Sequence, residues 1–137
     1  MTGSILRREF QSHYNGRLRR VDFSGADLTS ASVNLVWYER CAFVRTDLRQ
    51  ASIEGHFTFC DLRGATFRGA DLRGSSFTGC DLTGSDLRDC DLRGVRFGRK
   101  GTGTEYVPTD LTGARLDRAL VEDVELVDVI GWPFSGR

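Results

Sequence analysis

Leucine or phenylalanine returns at every fifth residue through most of this chain, a period that no helix can keep on one face. A helical stripe needs apolar spacing near 3.6, so a strict five rotates out of register within two turns. From Cys60 the sequence reads CDLRG, ATFRG, ADLRG, SSFTG, CDLTG, SDLRD, CDLRG and VRFGR. The third residue of each unit is Leu or Phe, the first is small, and Asp usually stands between them. Small, polar, large is the in-out-in alternation of a strand. The glycine that commonly ends the unit is corner chemistry, because glycine accepts positive φ. Each pentad is therefore one short side and one corner, with its first and third residues inward and the other three facing water.

The same phasing runs from VDFSG through TDLRQ and resumes at TDLTG, giving centres at Phe23, Leu28, Val33, Tyr38, Phe43, Leu48, Ile53 and Phe57. It then falls on every fifth residue to Phe97, and on Leu111, Leu116, Val121 and Leu126. One residue is missing between Ile53 and Phe57, and an insertion follows Phe97. Stacking three pentads per turn mixes large and small centres. Four per turn places Tyr38, Phe57, Phe77 and Phe97 in one aromatic column, Phe23 over Phe43, and Cys41, Cys60 and Cys80 in line. A four-sided coil is the consistent solution.

These units resemble the pentapeptide-repeat family, whose pattern is A-(D/N)-L-x-x, over roughly residues 16–131 apart from the insertion. The resemblance implies an all-β fold, a right-handed quadrilateral parallel β-helix of about five coils. The segments expected are an N-terminal cap over 1–15, coils over 16–97, an inserted loop over 98–108, a last coil over 109–131 and a tail over 132–137. It further implies protein binding, best represented by proteins that bind DNA gyrase and other type II topoisomerases. These imitate duplex DNA and protect the enzyme from quinolones or peptide toxins. Such competition calls for an acidic surface, whereas this chain carries 19 acidic and 19 basic residues. Topoisomerase modulation in antibiotic self-resistance is the leading specific expectation, within the broader one of a non-catalytic scaffold.

A solenoid must cover its ends. Leu6, Phe10 and Tyr14 lie at helical spacing before Asn15-Gly16, which reads as a short capping helix, with an extended lead-in as the alternative. Leu120, Val127 and Ile130 are apolar at outward positions, and Trp132, Pro133 and Phe134 follow. That cluster reads either as a folded-back cap or as a homodimer contact; the family resemblance supports pairing through C-terminal ends. The insertion, Gly98 to Pro108, is read as a protruding loop and includes Arg99, Lys100 and Tyr106 as binding candidates.

No catalytic constellation is present, and no cofactor or metal is expected. His13 and His56 have no motif around them, and His56 falls on an outward position expected to be solvated. Gly98-Arg99-Lys100-Gly101-Thr102 lacks the spacing of a phosphate loop. The four cysteines occupy the small inward position, where a thiol is compact filler, and their spacing fits no zinc site. Stacking aligns Arg49, Arg68 and Arg88 on one side and Arg73 and Arg93 on the next. Those columns are candidates for a partner, nucleic acid included. Asp47, Asp71, Asp86 and Asp91, two positions ahead of several of them, favour a surface ion-pair network instead. A neighbouring side stacks Asp61, Asp81 and Asp110. With no apolar run of about 18 residues and no signal peptide at its start, the chain is expected off the membrane and in the cytoplasm.

Overall fold

Each pentad folds as one side of a coil, and the computed structural model describes residues 3–11, 16–102 and 105–134. A helix α1 (Gly3–Gln11) precedes strands β1 (Arg17–Arg19), β2 (Ser32–Glu39), β3 (Ser52–Thr58), β4 (Ser76–Thr78) and β5 (Arg96–Gly98). Strands β6 (Lys100–Thr102), β7 (Glu105–Val107) and β8 (Glu125–Leu126) follow. The main sheet runs β1-β2-β3-β4-β5-β8, and every pairing in it is parallel. From Val36 and Gly55 onward this sheet is side 1, while the first residues of β2 and β3 belong to side 4.

Isolated parallel bridges build the other three sides. Asp22, Ala42, Asp61, Asp81, Asp110 and Ile130 form the ladder of side 2. Asp27, Asp47, Thr66, Asp86 and Arg115 form side 3, and Ser52, Asp71, Asp91 and Leu120 form side 4. Four ladders confirm four sides. The solenoid has about four turns, slightly fewer than the five expected. The last circuit is the irregular one, because the insertion interrupts it between Phe97 and Leu111.

The interior is a set of filled columns. Tyr38, Phe57, Phe77 and Phe97 stack with centroids 4.8, 4.8 and 5.4 Å apart, and Phe23 stacks on Phe43 at 5.1 Å. Most pentad centres have no exposed surface at all. Each such side chain contributes roughly 1.5–3 kcal/mol relative to exposure, and offset stacking adds about 0.5–1.5 kcal/mol per ring pair.

The missing residue has a defined address. Val33 and Asn34 pair with Ile53 and Glu54, then Val36 pairs with Gly55, which leaves Leu35 unmatched at φ 63°. The deletion therefore removes a corner, and β3 runs from side 4 to side 1 without one. Gly55 takes the inward position there because a Cβ would stand 3.2 Å from Ile53 and 3.3 Å from Tyr38.

Both ends are covered. Phe10 of α1 is fully buried, stacked 5.1 Å from Tyr38 and edge-on to Phe23 and Phe43. Arg7 donates to the Thr29 and Asp27 carbonyls at 2.8 and 2.9 Å, which fixes the helix across the first coil. The capping helix is thus present, while Tyr14, Asn15 and His13 lie outside the described residues. At the other end Trp132 covers Phe97 at 5.9 Å, and Phe134 packs edge-on to Trp132 at 5.5 Å. The insertion differs from the loop expected. It is an antiparallel hairpin of β6 and β7, and Gly98 continues β5. No described helix is long and apolar enough to cross a membrane.

Candidate interaction surfaces

The outward residues of a pentad are held by one local device. In Asp-Leu-Arg units the carboxylate accepts the backbone N–H two residues on, and the arginine folds back over it. Arg49 Nε donates to Asp47 Oδ1 at 2.9 Å and its second nitrogen to Oδ2 at 2.7 Å. Arg63 on Asp61, Arg73 on Asp71, Arg88 on Asp86 and Arg93 on Asp91 repeat this two-point clasp. The strand alternation aims both side chains outward from one side, two residues apart, so the fork meets the carboxylate without any distant contact. The arginine hydrogen bonds hold Asp47, Asp61, Asp71, Asp86 and Asp91 below the usual carboxylate range.

The arginine columns expected on sides 3 and 4 are therefore stacked, but each of their arginines has a carboxylate partner. Arg68 has Thr66 in place of an aspartate and reaches instead to Asp89 at 3.5 Å, which Arg118 also binds at 2.6 Å. Arg73 lies 3.5 Å from Asp91 one coil away, tying neighbouring clasps together. Sides 3 and 4 present an alternating-charge lattice.

Side 2 differs. Asp22, Asp81 and Asp110 are followed two residues on by Ser24, Thr83 and Thr112, whose backbone N–H groups they accept at 2.9, 3.0 and 2.9 Å. No arginine folds over these three. The side is an acidic ladder, broken by Ala42 and neutralised at Asp61 by Arg63.

At the C-terminal end Leu120, Val127, Ile130 and Phe134 are 47, 38, 47 and 41% exposed, whereas Trp132 is half-buried on the core. The alternatives for this segment divide by residue, since Trp132 caps the column and the other four face outward. In the hairpin, Arg99 lies over the Tyr106 ring at 4.6 Å and pairs with Asp128 at 3.0 Å, and Lys100 is exposed.

His56 corrects an expectation. Instead of standing in solvent it stacks on Trp37 at 5.1 Å, and its Nδ1 is 2.7 Å from the Ser76 hydroxyl. The outward residues of side 1, namely Arg17, Trp37, His56, Ser76 and Arg96, form a ladder that the sequence pattern did not single out. Counting one position ahead of each centre on that side finds it. Among the described residues, no group of three or more His, Cys, Asp or Glu side chains could hold a metal ion. Burial pushes the Cys90 thiol up to about 12.

Residues 56–94 match the family model for pentapeptide repeats, in 8 copies. The solved pentapeptide repeat protein Rfr23 from the cyanobacterium Cyanothece 51142 has a TM-score of 0.69 at 15% identity, over 93% of this chain and 97% of that one. Alr5209 from Nostoc PCC 7120, another pentapeptide repeat protein, gives 0.47 at 14% identity, over 87 and 94%. A trypsin-treated form of QnrB1, a plasmid-mediated fluoroquinolone resistance protein, gives 0.47 at 20% identity, over 90% of this chain and 64% of that one. No curated protein matches the sequence. With tandem copies matched at its centre and the same parallel coil continuing on both flanks, this chain carries pentapeptide repeats over residues 56–94 and has the fold of the solved pentapeptide repeat protein Rfr23.

Proposed function

We propose that the coil is a non-catalytic protein-binding scaffold, and that its specific form is modulation of DNA gyrase or a related type II topoisomerase in antibiotic self-resistance. The filled interior carries the scaffold reading. Centres from Phe23 to Phe97 are at most 5% exposed, so chemistry with a partner falls to the outward faces. The topoisomerase form draws on side 2, where Asp22, Asp81 and Asp110 stand along one edge without arginine clasps. An acidic edge on a rigid rod is the feature that suits a groove built for DNA. Even charge balance over the whole chain does not oppose this, because the clasped arginines of sides 3 and 4 face elsewhere.

The test is a supercoiling assay with purified gyrase, run with the parent chain and with Asp81→Lys plus Asp110→Lys. Inhibition or drug protection by the parent, lost in the double variant, supports the proposal. Unchanged supercoiling and drug sensitivity at saturating protein removes the topoisomerase form. The exposed apolar rim at Leu120, Val127, Ile130 and Phe134 supports pairing with a second copy through this end. Light scattering reads that directly, and a monomer at the highest soluble concentration rejects it.

A further inference from the structure

Side 1 follows a different rule from the other three. Its carboxylates are already committed, Glu39 to Arg19 at 3.3 Å, Glu125 to Arg96 at 4.0 Å and Asp128 to Arg99 at 3.0 Å. Three more cations, Arg17, Arg40 and Lys100, have no carboxylate partner among the described residues. Arg17 lies 5.9 Å from the Trp37 ring centre, and Arg40 lies 4.5 Å from that of Phe59. An aromatic face attracts a guanidinium but leaves its charge in place.

Arg17 and Lys100 line a groove of about 370 Å³, and Arg40 stands over its Phe59 wall. Arg17 lines it from β1, Lys100 from the hairpin, Phe59 from the corner beneath Arg40, and Glu39, its charge met by Arg19, from the end of β2. Its floor is polar, with the His56 and Ser76 pair at 2.7 Å and the Thr58 and Thr78 hydroxyls 3.3 Å apart. The hairpin is seated by Gly79, where an added Cβ would stand 3.0 Å from Phe59 and 3.1 Å from the Lys100 Cβ.

We infer that this groove binds single-stranded nucleic acid, with phosphates held by Arg17, Arg40 and Lys100 over the hydroxyl and imidazole floor. From β1 to β4 the groove crosses strands spaced about 4.8 Å apart, a length that spans roughly two to three phosphates. Trp37 and Phe59 add aromatic surface beside the cations. Unpaired bases use rings and charge together, whereas an acidic peptide engages the charge alone. The inference stands independently of the topoisomerase proposal, which concerns side 2.

Fluorescence anisotropy with a labelled oligothymidylate of about ten nucleotides tests it, against a duplex of equal length and a polyglutamate peptide. The single strand is expected to bind most tightly and to weaken roughly tenfold between about 50 and about 200 mM salt, as its phosphate contacts release counterions. The triple variant Arg17→Ala, Arg40→Ala, Lys100→Ala should lose at least about tenfold in affinity. Arg49→Ala, Arg73→Ala, Arg93→Ala removes the same charge from sides 3 and 4 and should stay within about twofold. Thermal melting checks that both are folded; should the first melt early, Arg17→Glu alone must cost at least about fivefold. Equal losses in the two triples, tighter binding of duplex or peptide, or no single-strand binding at low salt each overturns the inference.

Discussion

A hydroxyl or thiol can occupy the small inward position because the coil below offers it an acceptor. Thr46 donates to the Phe23 carbonyl at 2.8 Å, Ser75 to Ile53 at 2.9 Å and Thr109 to Phe77 at 2.9 Å. Cys90 makes the same bond to Phe67 at 2.8 Å. In each case the carbonyl belongs to the centre of the preceding side, one coil down. Ser75 is doubly used, since its oxygen also accepts the Gly55 N–H at 3.1 Å. Ser85, at the equivalent position, has a buried hydroxyl with no hydrogen-bond partner. Ser75→Ala should therefore cost about 1–3 kcal/mol, whereas Ser85→Ala should be neutral or stabilise by about 1 kcal/mol. Urea unfolding of the two variants measures both, and equal destabilisation would contradict the account. The smallness of this position was legible from Cys, Ser, Thr and Ala alternating in one phase. Which of its polar members finds a partner was not, because that depends on an atom a whole coil away.

Among the elements, the hairpin of β6 and β7 shows how an insertion is tolerated. The chain leaves at Gly98 and returns at Thr109, whose N–H and hydroxyl both reach the Gly98 carbonyl, at 3.2 and 2.7 Å. The Thr109 oxygen also accepts the Cys80 N–H at 3.2 Å, so the coil is closed beneath the hairpin. Excising residues 100–108 leaves Arg99 as an ordinary corner and restores the period. The shortened chain should fold with a stability within about 1 kcal/mol of the parent, since loop length enters closure entropy only weakly. A loss of several kcal/mol in chemical denaturation would show that the hairpin holds the coil together. The repeat made the coil, its four sides and both breaks readable in advance. The hairpin was not readable, because Lys-Gly-Thr and Glu-Tyr-Val lack the apolar alternation that marks a strand. The deletion was placed to within a few residues, but only parallel register with Leu35 shows that it removes a corner. Side 1 escaped notice for a related reason. Arg17, Trp37 and His56 share no motif, and nothing joins them until the chain is wound.

For the molecule as a whole, the clasps set the response to acid. Hydrogen bonds from Arg49, Arg63, Arg73, Arg88 and Arg93 lower the pKa of the aspartates they cover. A carboxylate whose folded value lies below its unfolded value of about 3.9 contributes stability above that pH, and loses it as pH falls through the folded value. Stability should thus be level from neutrality to about pH 4 and decline below it. Asp71→Asn with Asp91→Asn should flatten that decline in urea midpoints measured across the acid range; an unaltered acid limb would assign it to other groups.

Phe57 and Phe77 meet as direct register partners twenty residues apart, as do their neighbours on every side. Because each storey touches only the ones above and below, an in-frame copy of about sixty bases would add a storey and leave all other pairings intact. Rod height is thereby set by a copy number in the gene, independently of the two ends and of the hairpin.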